Sequence, residues 1–141
     1  MRLSYGAVQG WTEGGKEVKP FTQLRRMYER ATGAPPFELP KSWIEARPDI
    51  NLDARANFVT THDIVGGNSG SPVMTAKGEI VGLVFDGNIH SISGSYWFDA
   101  AMNRTVSVHP DFIRVALQDV YQGRTLEREL GLTGAERKVA P

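Results

Sequence analysis

Gly66-Gly67-Asn68-Ser69-Gly70-Ser71-Pro72 is the most informative stretch of the sequence, and the apolar pair Val73-Met74 follows it. The glycines around Ser69 let the backbone bend so tightly that peptide N–H groups turn inward, and they leave room for another group to approach. The same composition is also typical of an ordinary Gly/Ser turn between two strands. The stretch by itself leaves both interpretations open, a simple turn and a loop that presents a reactive serine.

The loop also resembles the nucleophile loop of chymotrypsin-like serine peptidases. In such a loop the serine hydroxyl attacks a substrate carbonyl, and two peptide N–H groups, the oxyanion hole, stabilise the negative oxygen that forms. The resemblance places this oxyanion hole on the N–H groups of Gly67 and Ser69. The flanking sequence is needed to separate a peptidase loop from a simple turn.

Length and composition exclude several classes of protein. The chain has 141 residues, enough for one domain with a modest core but short for a complete peptidase of two β-barrels. The formal net charge is +0, from 16 basic and 16 acidic residues, which gives no reason to expect nucleic acid or a membrane as a partner. There is no cysteine, so disulfides and thiolate metal sites are excluded. No apolar run approaches the roughly 18 residues of a membrane span, and residues 1–6 lack the apolar region of a secretory signal.

The first part of the chain is predicted to combine a strand with short helices. Leu3 to Trp11 favours a strand, with Gly14-Gly15 as the turn beyond it. Pro40 to Ala46 favours a short helix. Thr22 is a candidate N-cap for an earlier helix. The apolar face of that earlier helix consists of Leu24, Met27, Tyr28 and Ala31.

From Asn57 the pattern is that of a β-sheet followed by a helix. The predicted strands are Asn57–Thr60, Ser71–Met74, a buried strand Glu79–Phe85, and the pair Tyr96–Phe98 and Arg104–Val108. Pro110 opens a C-terminal helix. Its predicted buried stripe is Phe112, Ile113, Ala116, Leu117, Val120 and Tyr121. Residues 134–141 are predicted to be a frayed tail.

Two longer stretches make the resemblance specific. Asn57 to Val73 and Gly82 to Asn88 resemble the bacterial periplasmic dipeptidyl-peptidases of the chymotrypsin clan, the dipeptidyl-peptidase seven and eleven type of serine exopeptidase in serine peptidase family 46. Similar short stretches are Arg2–Gly6, Tyr28–Gly33 and Asn103–Val108. The resemblance implies a mainly β fold with helices, the C-terminal half of a chymotrypsin-like double β-barrel. It would comprise a connecting segment with accessory helices (1–56), a barrel portion with the nucleophile loop (57–108), and a C-terminal helix and tail (109–141). It also implies a periplasmic location and no cofactor.

The resemblance implies a role for each matching residue. Ser69 would be the nucleophile, and Asp86 would hold the free α-ammonium of the substrate, since a fixed carboxylate can recognise that cation. The alternative for Asp86 is a local turn bond with Gly87-Asn88. Gly87 occupies the position that separates substrate classes within the family: arginine there suits an acidic side chain, whereas glycine leaves space and no charge. We therefore expect an uncharged or hydrophobic residue before the cut bond.

Asp63 and Asn68 can be compared with the residues at the same spacing in trypsin-type enzymes. Asp63 lies six residues before Ser69, the spacing at which trypsin-type enzymes place the carboxylate that selects Lys or Arg. A tryptic preference is therefore a rival, although the dipeptidyl-peptidase family also has aspartate there. Asn68 stands where trypsin-type enzymes have an aspartate. A neutral amide cannot form an ion pair with a newly cut N-terminus, so we expect no zymogen activation by that route.

The resemblance identifies no general base in this chain. A serine hydroxyl needs a histidine that is itself oriented by a carboxylate, and the chain has His62, His90 and His109. In the family the histidine and aspartate come from the N-terminal barrel, which nothing in this chain resembles. We expect each of these three histidines to be a surface or capping residue, His109 as a helix cap. Their spacing also predicts no metal site.

The sequence therefore predicts a C-terminal fragment of a dipeptidyl-peptidase that has the nucleophile but is inactive alone. Its expected partners are a peptide with a free N-terminus and the missing N-terminal peptidase portion. Apolar surface left uncovered by that portion would favour self-association. Two alternatives remain open: a non-catalytic peptide-binding module with a trypsin-like fold, and a self-sufficient small hydrolase that uses His62 or His90.

Overall fold

The computed structural model describes residues 3–132, and these divide into two compact units. One unit contains the chain up to Thr22 together with Ala56–Pro110. The other contains Gln23–Arg55 together with the chain from Asp111 onward. The predicted segment 1–56 is therefore not one unit, because its first 22 residues belong with the strands that follow residue 56. The predicted tail 134–141 lies outside the described residues.

Antiparallel strands form the framework of the first unit. β1 (Trp11–Glu13) and β2 (Lys16–Val18) form a hairpin whose turn is Gly14-Gly15, both at positive φ. A five-stranded sheet has the order β3-β4-β7-β6-β5. Its strands are β3 (Phe21–Gln23), β4 (Arg55–Thr60), β5 (Pro72–Met74), β6 (Ile80–Gly87) and β7 (Thr105–Val108). β7 pairs antiparallel with both β4 and β6, and β5 pairs antiparallel with β6.

β6 is buried on one face only. Val84 is 7% exposed and packs with Phe58 and Val73 in the core of the unit. Leu83 and Phe85 point the other way and are 36% and 44% exposed. The prediction of a strand was right, but the prediction that it is buried was wrong for half of its residues. A run of apolar residues does not distinguish a strand buried on both faces from one with an open face.

Two predicted strands are wrong. Leu3 to Trp11 forms no strand before β1, apart from an isolated bridge between Val8 and Thr60. Tyr96 lies in a turn that follows a short 3₁₀ helix (Ile89–Ser93), and the amides of Tyr96 and Trp97 both donate to the Ser93 carbonyl at 2.9 Å. Aromatic residues favour strands only where neighbouring side chains cover them, and Tyr96 is 95% exposed.

Short helices make up the second unit. They are α1 (Arg25–Arg30), α2 (Lys41–Ala46), α3 (Pro110–Val115), which continues as a π-helical turn (Ala116–Val120), and α4 (Arg124–Glu129). α2 confirms the predicted helix, whereas α1 is capped by Leu24 without a side-chain bond and not by Thr22. Within residues 3–132 no helix is both long and apolar enough to cross a membrane.

The second unit has its own apolar core. Leu24 is fully buried and Trp43 is 5% exposed, with its indole ring stacked on Phe112 at 5.1 Å between centroids. In α3 and the π-helical turn, Val115 is the buried residue, at 4% exposure. The predicted stripe from Phe112 to Tyr121 is wrong as a buried face, because its residues are only half-buried or, at Tyr121, exposed.

Candidate active site

The serine loop is a tight turn that requires its glycines. Gly67 and Gly70 have φ angles of 96° and 85°, in the left-handed region that favours glycine. The far end of the loop is joined to β6, since the Gly70 amide donates to the Val84 carbonyl at 2.7 Å and the Val84 amide donates to the Ser71 carbonyl at 2.9 Å. The turn therefore holds Ser69 at a fixed place beside β6.

Asn68 closes the loop on itself. Its Oδ1 accepts a hydrogen bond from the Val65 amide at 3.0 Å, and its own amide donates to the Val65 carbonyl at 3.3 Å. The Asn68 carbonyl accepts from the Ser71 amide at 3.0 Å. A structural role for Asn68 was not predicted from the sequence. The tendency of asparagine to bond nearby backbone in turns was the signal that could have indicated one.

Three amides of the loop remain available. Among the described residues, the N–H groups of Gly66, Gly67 and Ser69 have no hydrogen-bond partner, whereas the amides of Asn68, Gly70 and Ser71 are bonded. The Ser69 hydroxyl donates to the carbonyl of Phe85 at 3.2 Å. The loop therefore presents a hydroxyl and unused donors on the same short turn, the groups that a serine nucleophile with an oxyanion hole requires.

An open cleft of about 210 Å³ lies beside Ser69. Its lining consists of Ile64, Val65, Gly66, Ser69, Phe85, Asp86, Gly87, Asn88, Ser91 and Ile92. The structure thus places Ser69, Asp86 and Gly87 in the lining of one cleft. Asp63 is not in this described lining; it is exposed, and its amide donates a hydrogen bond to Ser4 Oγ at 3.1 Å.

Asp86 is exposed at the end of β6. Its Oδ1 accepts a hydrogen bond from the Gly87 amide at 2.8 Å. This is the local turn bond that was expected if Asp86 has no binding role. The two are compatible, because the bond occupies one carboxylate oxygen and orients the group at the wall of the cleft. A carboxylate has about four acceptor positions.

Gly87 is closely backed by Ser91. A Cβ on residue 87 would lie 2.7 Å from the Ser91 Cβ, closer than real contacts allow. The Ser91 hydroxyl in turn donates to Asn88 Oδ1 at 2.9 Å, and the same oxygen accepts from the Arg104 amide at 3.0 Å. Sequence reasoning missed Ser91 and the structural role of Asn88, since no local pattern connects residues 88, 91 and 104.

Two of the three histidines have polar partners away from Ser69. His62 Nδ1 lies 2.7 Å from Thr60 Oγ1, and burial lowers the pKa of the His62 ring below its ordinary value. His90 Nε2 lies 2.7 Å from Glu13 Oε2. The pKa of Glu13 is lowered by hydrogen bonds from His90 and Trp11.

The ring of His109 packs against two aromatic side chains. Its imidazole lies edge-on to the rings of Phe21 and Phe58, at centroid distances of 6.1 and 6.0 Å. Its amide donates to the Ala56 carbonyl at 3.0 Å, which extends the pairing of β4 and β7 by one residue. His109 is thus part of the packing around Phe58.

The peptidase S46 family model matches residues 1–132. Dipeptidyl-peptidase 7 of Capnocytophaga gingivalis is 39% identical over 121 residues, covering 77% of this chain and 17% of the relative. The Asp/Glu-specific dipeptidyl-peptidase of Shewanella putrefaciens is 29% identical over 163 residues, covering 94% of this chain and 22% of the relative. The chain thus spans about a fifth of the length of these relatives.

A solved structure confirms the fold class. The crystal structure of Porphyromonas endodontalis DPP11 in complex with the dipeptide Arg-Asp has a TM-score of 0.80 to this chain at 23% identity. The match covers 90% of this chain and 20% of that chain. At this identity the likeness concerns the fold alone, and it agrees with the predicted mainly β, chymotrypsin-like architecture with helices.

Proposed function

This chain belongs to the peptidase S46 family, and on that premise we propose that it provides the nucleophile-bearing portion of a serine dipeptidyl-peptidase. The Ser69 hydroxyl attacks the carbonyl carbon of the peptide's second residue while a general base takes its proton. The bond to the third residue then breaks, the amine of the shortened peptide leaves with that proton, and water hydrolyses the dipeptidyl ester on Ser69. The amides of Gly67 and Ser69 stabilise the oxyanion. One observation supports this proposal most strongly: the Ser69 hydroxyl and the unpaired amides of Gly67 and Ser69 lie on one tight turn, and Ser69 lines a cleft that also contains Asp86.

Asp86 provides the recognition of a free N-terminus. Its carboxylate lies in the same cleft as Ser69, already oriented by the Gly87 amide. An α-ammonium bound there forms a charge-assisted hydrogen bond. Recognition of the N-terminus at a fixed distance from Ser69 explains how the cut follows the second residue and not another one.

The cleft favours an uncharged side chain before the cut bond. Ile64, Val65, Phe85 and Ile92 contribute apolar side chains to its described lining, and the one charged residue of that lining is the acidic Asp86. A substrate carboxylate in this cleft has no cation to pair with and would lose its hydration, which is costly. The relatives include an Asp/Glu-specific enzyme, so the preference of this chain is a proposal from its own lining.

The general base comes from a further peptidase portion, on the same polypeptide or another one. Ser69 donates to a backbone carbonyl, whereas His62 and His90 have Thr60 and Glu13 as partners. A hydroxyl in this state is a weak nucleophile. The whole enzyme then resides in the periplasm, as the resemblance implies.

A chimera tests the proposed function. In it, the part of this chain that matches the Capnocytophaga gingivalis relative, 77% of its length, replaces the corresponding stretch of that enzyme, and release of dipeptides from fluorogenic peptides is measured. We expect turnover that is lost in Ser69→Ala, falls sharply in Asp86→Asn, and is absent for N-acetylated peptides. Asp63→Asn is the matched control, with an exposed carboxylate outside the cleft, and should retain turnover. A folded chimera without Ser69-dependent turnover would reject the proposal.

A peptide-binding role without catalysis is the second candidate. The observation that favours it is the Ser69 hydroxyl bonded to Phe85, beside a carboxylate-bearing cleft that is already formed. This role predicts that the isolated chain binds peptides with free N-termini and that the folded chimera shows no turnover.

A further inference from the structure

A group of large apolar side chains lies next to the cleft and is almost uncovered. Ile89, Ile92, Tyr96 and Trp97 are 70%, 78%, 95% and 71% exposed, respectively. We call these four residues the apolar rim. Single exposed apolar residues are ordinary, whereas four large ones within nine positions of the chain are typical of an interaction surface.

The apolar rim is continuous with the cleft. Ile92 belongs to the cleft lining together with Ser69. Ile89 precedes it by three residues in the 3₁₀ helix, and side chains with this spacing lie on the same side of such a helix. Tyr96 and Trp97 follow in the next turn, which is fixed by their bonds to the Ser93 carbonyl. A body seated over the cleft opening would therefore meet the rim.

We propose that the apolar rim is the docking surface for the peptidase portion that supplies the base to Ser69. This inference rests on the proposed function, because that portion must come within hydrogen-bonding reach of Ser69. The chain covers only 17% and 22% of two relatives, so most of such an enzyme lies outside it. The portion that brings a histidine over Ser69 also covers Ile92 and its neighbours.

The chemistry of the rim defines the partner as an apolar protein face. Residues 88–98 contain no Asp, Glu, Lys or Arg, so nothing in this segment would attract a phosphate backbone or an anionic lipid surface. Tyr and Trp are the residues that most often anchor protein interfaces. A second copy of this chain would fit the apolar face, but its His62 and His90 are already paired with Thr60 and Glu13.

Hydroxyl-radical footprinting with mass spectrometry tests the proposal. Oxidation of the rim residues is compared between the isolated 141-residue chain and the Capnocytophaga gingivalis chimera. We expect oxidation of Tyr96 and Trp97 to fall about fivefold or more in the chimera, because the core of an interface excludes water. Ile80 is the matched control for Ile92: it is 65% exposed and lies roughly 20 Å along β6 from the cleft, so its oxidation should not change.

Other occupants of the rim give different results. Equal oxidation of the rim in both proteins overturns the proposal. Protection that appears in the isolated chain as its concentration rises also overturns the proposal, because it assigns the rim to a second copy. Protection that requires added peptide overturns it as well, because it assigns the rim to substrate. Protection without turnover leaves the docking surface standing and rejects the peptidase activity. Turnover with an unprotected rim supports the peptidase activity and rejects the docking surface.

A second chimera guards against misfolding. Residues 89–97 are returned to the relative's own sequence while the rest of the chain is kept. If this chimera folds and the first does not, the rim residues decide the fit to the remaining portion, which supports the proposal. If the second chimera folds and its residues 89–97 are oxidised as fast as the rim of the isolated chain, this segment is not covered by the remaining portion and the proposal is overturned.

Discussion

Gly67 is the residue at which the backbone of the serine loop can be tested most simply. Its φ of 96° disfavours any residue with a Cβ, although a Cβ there would have nothing within 4 Å. The cost of Gly67→Ala is therefore conformational, and we expect it to lower the free energy of unfolding by about 1–2 kcal/mol. Urea unfolding followed by circular dichroism measures it.

Gly66→Ala is the matched control for this substitution. A Cβ at residue 66 also has nothing within 4 Å, and its φ is not in the left-handed region. We expect its effect to stay within about 0.5 kcal/mol. Equal losses for the two variants would show that the left-handed turn is not what holds the loop.

His62 makes stability depend on pH. Its ring is half-buried, and burial lowers its pKa from the ordinary value of 6.5. Above that value both the folded and the unfolded chain hold a neutral ring. As the pH falls below it, the unfolded chain takes up the proton first, so stability decreases until the lowered folded pKa is passed.

Urea midpoints at about pH 7.5 and about pH 5.5 measure this effect, in a range that avoids most carboxylate titration. We expect wild type to be less stable at the lower pH and His62→Gln to show a smaller loss between the two. A pH dependence unchanged by His62→Gln would mean that burial of this ring does not set it.

Arg104 precedes β7 and joins this strand to the N-terminal segment of the first unit. Its side chain is 2% exposed, and burial lowers its pKa. Within residues 3–132 the guanidinium donates to backbone carbonyls, among them Gln9 at 3.0 Å, Gly10 at 2.7 Å and Ala101 at 3.1 Å. One side chain thus satisfies carbonyls from two separate segments of the first unit.

We expect Arg104→Lys to lower the free energy of unfolding by about 2–4 kcal/mol, because a single ammonium cannot reach carbonyls on both sides and leaves several unsatisfied. Chemical denaturation provides the value. Arg26→Lys is the control, since Arg26 pairs with Glu29 on the surface and should change stability by less than about 0.5 kcal/mol. Similar values for the two variants would contradict the structural role assigned to Arg104.

The elements that the sequence predicted correctly are those with local signals. The predicted strand Glu79–Phe85 corresponds to β6 and follows Gly78, which has a φ of 84° in the left-handed region that favours glycine. Pro110 marks the start of α3. The aromatic run at Tyr96 misled the prediction, because strand propensity reflects covering neighbours that the sequence of one segment does not reveal.

At the scale of the whole molecule, the candidate site could be located from the sequence but not completed. The glycine-serine stretch was recognisable from its local composition, and Asp86 was assigned through the resemblance of Gly82–Asn88 to the dipeptidyl-peptidases. The contact between Gly87 and Ser91 and the anchoring of residues 9 and 10 by Arg104 depend on long-range packing. The Asn68 bond to Val65 was within reach of local reasoning.

The central claim is that this chain holds the nucleophile and that the base comes from elsewhere. Intact mass after treatment with a fluorophosphonate probe tests it most directly, on the folded isolated chain with Ser69→Ala as control. We expect no adduct on the isolated chain and one Ser69-dependent adduct on the chimera, because an unactivated hydroxyl reacts slowly. A Ser69-dependent adduct on the isolated chain would contradict the account, since a working base would then lie within these residues.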